Sequence, residues 1–228
     1  MIEGPFYEGG QWFWKARRGD VEIRFTGRGP AGERQEVLQR IEDTAPPVAW
    51  AKQIHSAIAL PAQAGGCGEG DAVYGNEPNL AMSVVTADCV PVLLAGPDGE
   101  LAAVHAGWKG IVGGVIAETW RAIGGVGGGP GWAAWIGPAI GPCCYEVGED
   151  VAERIAAASG PEVVVPGPGS RPHADLPAAV RRQLAEAGVT EIHTIPACTR
   201  CETERLYSYR RQGKGGGRNI AFIWRTPA

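Results

Sequence analysis

Two apolar runs, residues 81–95 and 101–105, are joined by the turn Gly96-Pro97-Asp98-Gly99. No other stretch limits the possible folds of this chain as strongly. Length and β-rich composition predict buried strands joined as a hairpin. Each run is interrupted by a residue that an apolar interior tolerates only with partners: Asp88, next to Cys89, in the first and His105 in the second. Pro91 cannot donate to a ladder, so a bulge or strand break is expected beside Cys89. A third polar residue, His55, closes the apolar run 48–54. The rest of the chain reads as support for these three side chains.

At 228 residues the chain is long enough to bury a real core, and no linker or repeat divides it, so residues 1–228 are expected to form a single domain. The net charge of −4 offers no polyanion-binding surface, which argues against nucleic acid as a partner. The apolar runs are shorter than a membrane span. The start, Met1-Ile2-Glu3-Gly4-Pro5, shows neither basic nor apolar signal regions, so a cytoplasmic location is expected. The 6 cysteines then sit in a reducing compartment, as free thiols or metal ligands.

Strand and helix signals alternate along the chain. Aromatic and basic residues 1–19 suggest an edge strand or docking arm, and 21–25 a strand with one wet face. Residues 33–41 suggest an amphipathic helix, 65–70 a glycine loop, and 71–74 a short strand. Residues 110–123 suggest one helix, 124–131 a loop, 133–136 a strand and 148–158 a helix. The segment 166–173 reads as an exposed loop, and 175–187 as a helix capped by Asp175 and Gly188. Strands at 191–195 and 218–224 flank a partly helical stretch, 199–212. This mixture predicts an α/β or α+β fold with a mixed β-sheet flanked by helices.

Three groups of residues carry chemistry. Two imidazoles and a thiolate, His55, Cys89 and His105, form a zinc set with a fourth position left open; soft ligands also suit copper. The same trio reads equally as a cysteine nucleophile with a histidine base, or as structural residues. Asp88 is a candidate proton carrier or histidine orienter, and Gly107 and Gly110 allow close backbone approach. The second group is cationic: Lys109 at a helix start, with Arg210, Arg211, Lys214 and Arg218, reads as a phosphate site or as solvated surface charge. Sequence patterns for the P-loop and the dinucleotide fold are absent. In the third group, Cys198-Thr199-Arg200-Cys201 has no second Cys-x-x-Cys pair and no His-x-Glu upstream, so it reads as buried thiols, as does Cys143-Cys144. His173, in a loop, and His193, in a strand, read as structural.

Several of these stretches together resemble one family. They are Thr86-Ala87-Asp88-Cys89, the run 104–110 (Val-His-Ala-Gly-Trp-Lys-Gly), the run 136–147 (Ile-Gly-Pro-Ala-Ile-Gly-Pro-Cys-Cys-Tyr-Glu-Val), Asp175-Leu176, Cys198-Thr199, Ser208-Tyr209-Arg210-Arg211 and Gly217-Arg218. The set is similar to the YfiH family, also called the laccase-domain or polyphenol-oxidase family and now the laccase-domain purine nucleoside phosphorylases. The resemblance implies a mixed α/β fold related to toxin deamidases. It implies zinc on His55, Cys89 and His105, with copper as an older assignment. It implies phosphorolysis of adenosine, inosine, guanosine and methylthioadenosine with phosphate as co-substrate, and adenosine deamination as a second activity. Copper-dependent phenol oxidation and editing of a peptidoglycan precursor are also attributed to the family. Lys109, Arg210 and Arg218 are then the expected phosphate holders. The chain departs from the family at 25–34, where the usual Arg-Gly-Gly-Val-Ser-like loop is replaced, and at Lys109, where arginine is commoner.

Overall fold

The computed structural model describes residues 1–125 and 128–227. Two mixed sheets lie face to face. The first has seven strands in the order β1 (Glu3–Glu8), β2 (Gln11–Arg18), β3 (Val21–Thr26), β15 (Asn219–Arg225), β8 (Ala81–Thr86), β4 (Val48–Lys52) and β6 (Gly65–Glu69). The second has six: β14 (Glu191–Thr194), β11 (Ala133–Ile136), β9 (Val90–Ala95), β10 (Leu101–Ala106), β7 (Ala72–Gly75) and β5 (Ala59–Pro61). A small hairpin pairs β12 (Val164–Pro166) with β13 (Pro172–Ala174). The helices are α1 (Arg34–Gln39), α2 (Trp108–Val112), α3 (Val115–Ala122), α4 (Glu149–Ser159), α5 (Leu176–Glu186) and α6 (Tyr209–Gln212). Among the described residues no helix is long and apolar enough to cross a membrane.

The order of layers follows from where apolar residues fall. Strand neighbours point to opposite faces, and β9, β10 and β11 are apolar on both, so both must be covered. Leu93, Ala95, Ala103 and Trp135 pack against Phe25, Met82, Val84 and Ile223 of the first sheet. Val92, Leu94, Val104 and Ile136 pack with Ile111, Ile116, Ile155 and Leu184, which belong to α2, α3, α4 and α5. The outer face of the first sheet is covered by Val37 and Leu38 of α1, which meet Val48, Phe222 and Trp224. Asp175 caps α5 as expected, its Oδ1 accepting from Ala178 N at 2.9 Å, and Gly188 leaves that helix at φ 96°.

Several expectations are corrected. The run 81–95 is not one interrupted strand: β8 and β9 lie in different sheets, and residues 87–89 cross between them. The strand break expected beside Cys89 is present, between Thr86 and Val90, and β9 then forms the expected hairpin with β10, with Pro91 in register opposite His105. β3 has no wet face, because Arg24 is buried between Glu22 and Glu42, which neutralise it. Residues 65–69, read as a loop, add a parallel edge strand to β4. The helix expected over 110–123 is broken into α2 and α3 by Gly113-Gly114, with Gly114 at φ 84°. The exposed loop expected at 166–173 holds over 167–171, but its ends pair as β12 and β13, and His173 is buried. The glycine loop expected at 124–131 falls partly outside the described residues.

Candidate functional site

Asp71 is the anchor of the site. It precedes β7 and is fully buried. Its Oδ1 accepts from His55 N at 3.0 Å and from His105 Nδ1 at 2.7 Å. Its Oδ2 accepts from Ile54 N at 3.3 Å, Ser56 N at 2.5 Å and Ser56 Oγ at 2.7 Å. Its main-chain carbonyl takes a further bond from His105 N at 2.7 Å. Burial alone would raise this carboxyl, but the bonds from His105 and Ser56 outweigh it and hold the pKa down at about 2.

These contacts explain how two distant histidines meet. After β4, the Gln53 side-chain amide pairs with both Val85 N and Val85 O, at 2.8 and 2.7 Å, and prolongs the β4–β8 ladder. The chain then turns sharply: His55 has φ 60°, a left-handed conformation uncommon for a side chain other than glycine. Three successive N–H groups gathered on Asp71 hold that turn. His105 arrives on β10, and Asp71 fixes its Nδ1 as the protonated nitrogen. In the neutral ring the lone pair is then on Nε2, which a metal takes in place of the second proton.

Cys89 comes from the crossing between sheets. Its Sγ lies 3.9 Å from His55 Nε2, and the His55 and His105 rings meet edge-on with centroids 4.9 Å apart. One donor atom from each of His55, Cys89 and His105 lies within 4.8 Å of the others. Burial pushes the Cys89 thiol up, but hydrogen bonds from the two histidines outweigh this and bring it down to about 7. For His105 burial pulls the pKa down, and Asp71 and Cys89 lift it to about 9. Gly107 is required here by close approach: a Cβ would stand 2.9 Å from His55 Cδ2 and 3.1 Å from Cys89 Sγ.

Asp88 does not orient a histidine. It is buried, at φ 87°, and its carboxylate accepts from Thr199 Oγ1 at 2.6 Å and from Arg210 N at 2.7 Å. Its carboxylate holds the main chain at Arg210 while also lining the cleft, and Asp71, missed from sequence, is the partner of His105. A lone aspartate opening an apolar strand after Gly70 was the available signal.

The His55, Cys89 and His105 side chains open onto a cleft of about 670 Å³, also lined by Lys109, Tyr145, Arg210 and Arg218. All three expected cations are therefore brought together, whereas Arg211 is spent on the carbonyls of Thr199 and Arg200. The Arg210 guanidinium lies over the Tyr145 ring, 5.0 Å from its centroid. A second cavity, of about 590 Å³, adjoins the first, with Val85 and Arg218 lining both. Its wall includes residues 29–35, so the divergent N-terminal loop lies next to the cleft.

The sequence reading of Cys143, Cys144, Cys198 and Cys201 as separate buried thiols does not hold. Cys143 and Cys201 are exposed, and the four sulfurs converge. His173 Nδ1 donates to Pro142 O, and His193 pairs with Glu191; neither joins the site.

A carboxylate-held imidazole facing a thiol and a second imidazole, at the end of a two-sheet α/β sandwich, defines a metal-ligating or thiol–imidazole centre. A family model described as "Multi-copper polyphenol oxidoreductase laccase" matches residues 31–226. "Purine nucleoside phosphorylase YfiH" of Escherichia coli (strain K12) is 38% identical over 179 residues, 77% of this chain and 72% of the relative. A "Purine nucleoside phosphorylase" of Deinococcus radiodurans is 42% identical over 174 residues, 75% of this chain and 67% of the relative. The crystal structure of the Neisseria meningitidis protein NMB0706 superposes with a TM-score of 0.79 at 31% identity, covering 94% of this chain and 99% of that one. The chain belongs to the YfiH, or laccase-domain, family.

Proposed function

We propose that this protein is a zinc-dependent purine nucleoside phosphorylase acting as one domain. It would convert adenosine, inosine, guanosine or methylthioadenosine and phosphate into the free base and the sugar 1-phosphate, with adenosine deamination as a second activity. The observation that carries the reading is the shared cleft. Two imidazoles and a thiol, with their donor atoms within 4.8 Å of one another, line the same cavity as Lys109, Arg210 and Arg218. The relatives named purine nucleoside phosphorylases support the activity.

The donor set fits zinc: three protein ligands of borderline-soft character, one with its second nitrogen fixed by a buried carboxylate. His55, Cys89 and His105 would hold the ion, and zinc, when bound, supplies Lewis acidity and activation of water near neutral pH. In phosphorolysis the attacking phosphate carries the negative charge that must be held and aimed. Lys109, Arg210 and Arg218 do this through charge-assisted hydrogen bonds. Asp88 and Thr199 fix the main chain at Arg210, and the Tyr145 ring beneath its guanidinium limits the arginine's swing. Lysine at 109 supplies charge without the two-pronged geometry of arginine, so orientation falls to Arg210 and Arg218. The test is Cys89→Ala: we expect loss of the zinc held by the cleft trio together with loss of hypoxanthine release from inosine and phosphate. Full activity in that variant rejects the reading.

The 3.9 Å approach of Cys89 Sγ to His55 Nε2 favours one alternative, a metal-free cysteine amidase acting on a cell-wall precursor. In that case EDTA leaves activity intact while iodoacetamide abolishes it. Copper phenol oxidation ranks last, because the chain has 4 histidines and only two of them reach the site.

A further inference from the structure

We propose a second metal site: Cys143, Cys144, Cys198 and Cys201 bind one thiophilic divalent cation, zinc, as a closed structural clamp. This goes beyond the reading of the catalytic cleft and does not depend on it.

The topology brings the four thiols together. β11 and β14 are parallel neighbours, so their following loops leave the same end of the sheet side by side. The two loops stay paired beyond the strands, through an isolated parallel bridge between Ala139 and Cys198 and a bond from Thr199 N to Ala139 O at 3.0 Å. Each loop then makes a tight turn. Cys144 N and Tyr145 N both donate to Gly141 O, at 3.0 and 3.1 Å, which presents the adjacent Cys143 and Cys144 together. Cys201 N and Glu202 N donate to Cys198 O, at 3.1 and 3.0 Å, which folds Cys198 and Cys201 to one side. Gly141 N also donates to Cys198 Sγ at 3.3 Å, a bond that favours the thiolate.

The sulfur geometry selects a single ion. All four sulfurs lie within 4.8 Å of one another, with Cys143–Cys201 at 3.8 Å and Cys144–Cys201 at 3.4 Å. Zn–S bonds of about 2.3 Å in a tetrahedron set the sulfurs about 3.8 Å apart. An iron–sulfur cluster, with its thiolates on separate irons, spreads them wider. Cys201 approaches both Cys143 and Cys144, which is not an arrangement of two independent disulfides. Four protein ligands leave no open position, as in structural zinc sites and unlike the three-ligand cleft.

The clamp sits behind the reaction cleft. The turn containing Cys143 and Cys144 runs straight into Tyr145, and the Cys198–Cys201 turn contains Thr199, which bonds Asp88. Ile140 N donates to Asp88 O at 2.9 Å from the first loop. An ion there ties together the two segments that fix Asp88, Tyr145 and Arg210.

The test uses the Cys89→Ala protein, in which the cleft site lacks its thiol and any retained ion reports on the four-cysteine group. The reduced protein is stripped of metal, titrated with zinc alone, and separately with cobalt alone. We expect one tightly held zinc, a cobalt spectrum with the strong thiolate charge-transfer bands of tetrahedral sulfur ligation, and a higher melting temperature with zinc. Adding Cys143→Ser and Cys201→Ser to Cys89→Ala removes all three responses. Absence of zinc binding by Cys89→Ala overturns the proposal, as does binding that survives the two serines. Because no activity is read, failure here leaves the phosphorylase reading standing, and failure of that reading leaves this one.

Discussion

Replacing Asp71 by asparagine puts the construction of the cleft to its sharpest trial. The two oxygens of this buried carboxylate accept from five donors, two on Oδ1 and three on Oδ2. Asparagine keeps one oxygen and turns the other position into a donor, so whichever way it faces, at least two donors, partly or fully buried, meet an N–H. Each unsatisfied buried donor costs about 1–3 kcal/mol. Rotation of the Ser56 hydroxyl relieves part of this, leaving roughly 4 kcal/mol, a large share of a typical 5–15 kcal/mol stability. For a chain of this size that corresponds to a fall in melting temperature on the order of 10 °C. The two orientations distribute the damage differently. With the amide nitrogen toward Ser56, stability suffers most. With it toward His105, the imidazole must shift its proton to Nε2 and ceases to be a ligand, and zinc affinity falls about 10–100-fold. The assay is urea unfolding of the metal-free protein followed by tryptophan fluorescence, paired with a zinc competition titration. An Asp71→Asn protein with an unchanged urea midpoint and unchanged zinc affinity would refute the reasoning.

Other perturbations probe the neighbouring contacts. Gly107→Ala should leave the fold intact but force His55 and Cys89 apart, giving reduced zinc content by elemental analysis; full occupancy would show that the backbone yields there. Thr199→Val removes the 2.6 Å bond to the buried Asp88 carboxylate and should cost about 1.5–3 kcal/mol in urea unfolding, with a raised KM for phosphate. Asp175→Ala removes the cap of α5 and should cost about 1 kcal/mol, seen as faster amide exchange in its first turn. Exhaustive chelation should abolish phosphorolysis, with recovery on adding zinc back; activity that persists after chelation and dies with iodoacetamide would favour the amidase alternative.

The parts of the cleft carried by unusual residues in apolar surroundings were legible in the sequence. Asp88 and His105 stand out because an apolar run rarely contains them, and the motif lengths around them brought the family resemblance. The split of 81–95 between sheets was not legible, since β8 and β9 carry the same apolar signal and nothing in periodicity says which neighbour each strand will pair with. Asp71 was hidden for a different reason: its importance lies in five donors drawn from residues 54–56 and 105, and one sequence does not disclose such convergence. The edge strand at 65–69 is glycine-rich and shows no apolar alternation, so side-chain pattern gave no hint of it. The four cysteines were misread because Cys143-Cys144 and Cys198–Cys201 become neighbours only through the parallel register of β11 with β14.

The cleft ligands descend from different layers. His55 follows a strand of the first sheet, His105 sits on one of the second, and Cys89 lies on the chain's passage between them. A cation seated among them would act as a rivet through the sandwich, opposing any sliding of one sheet over the other. Loading would then show up far from the cleft, as slower exchange of amides along the whole seam between the sheets.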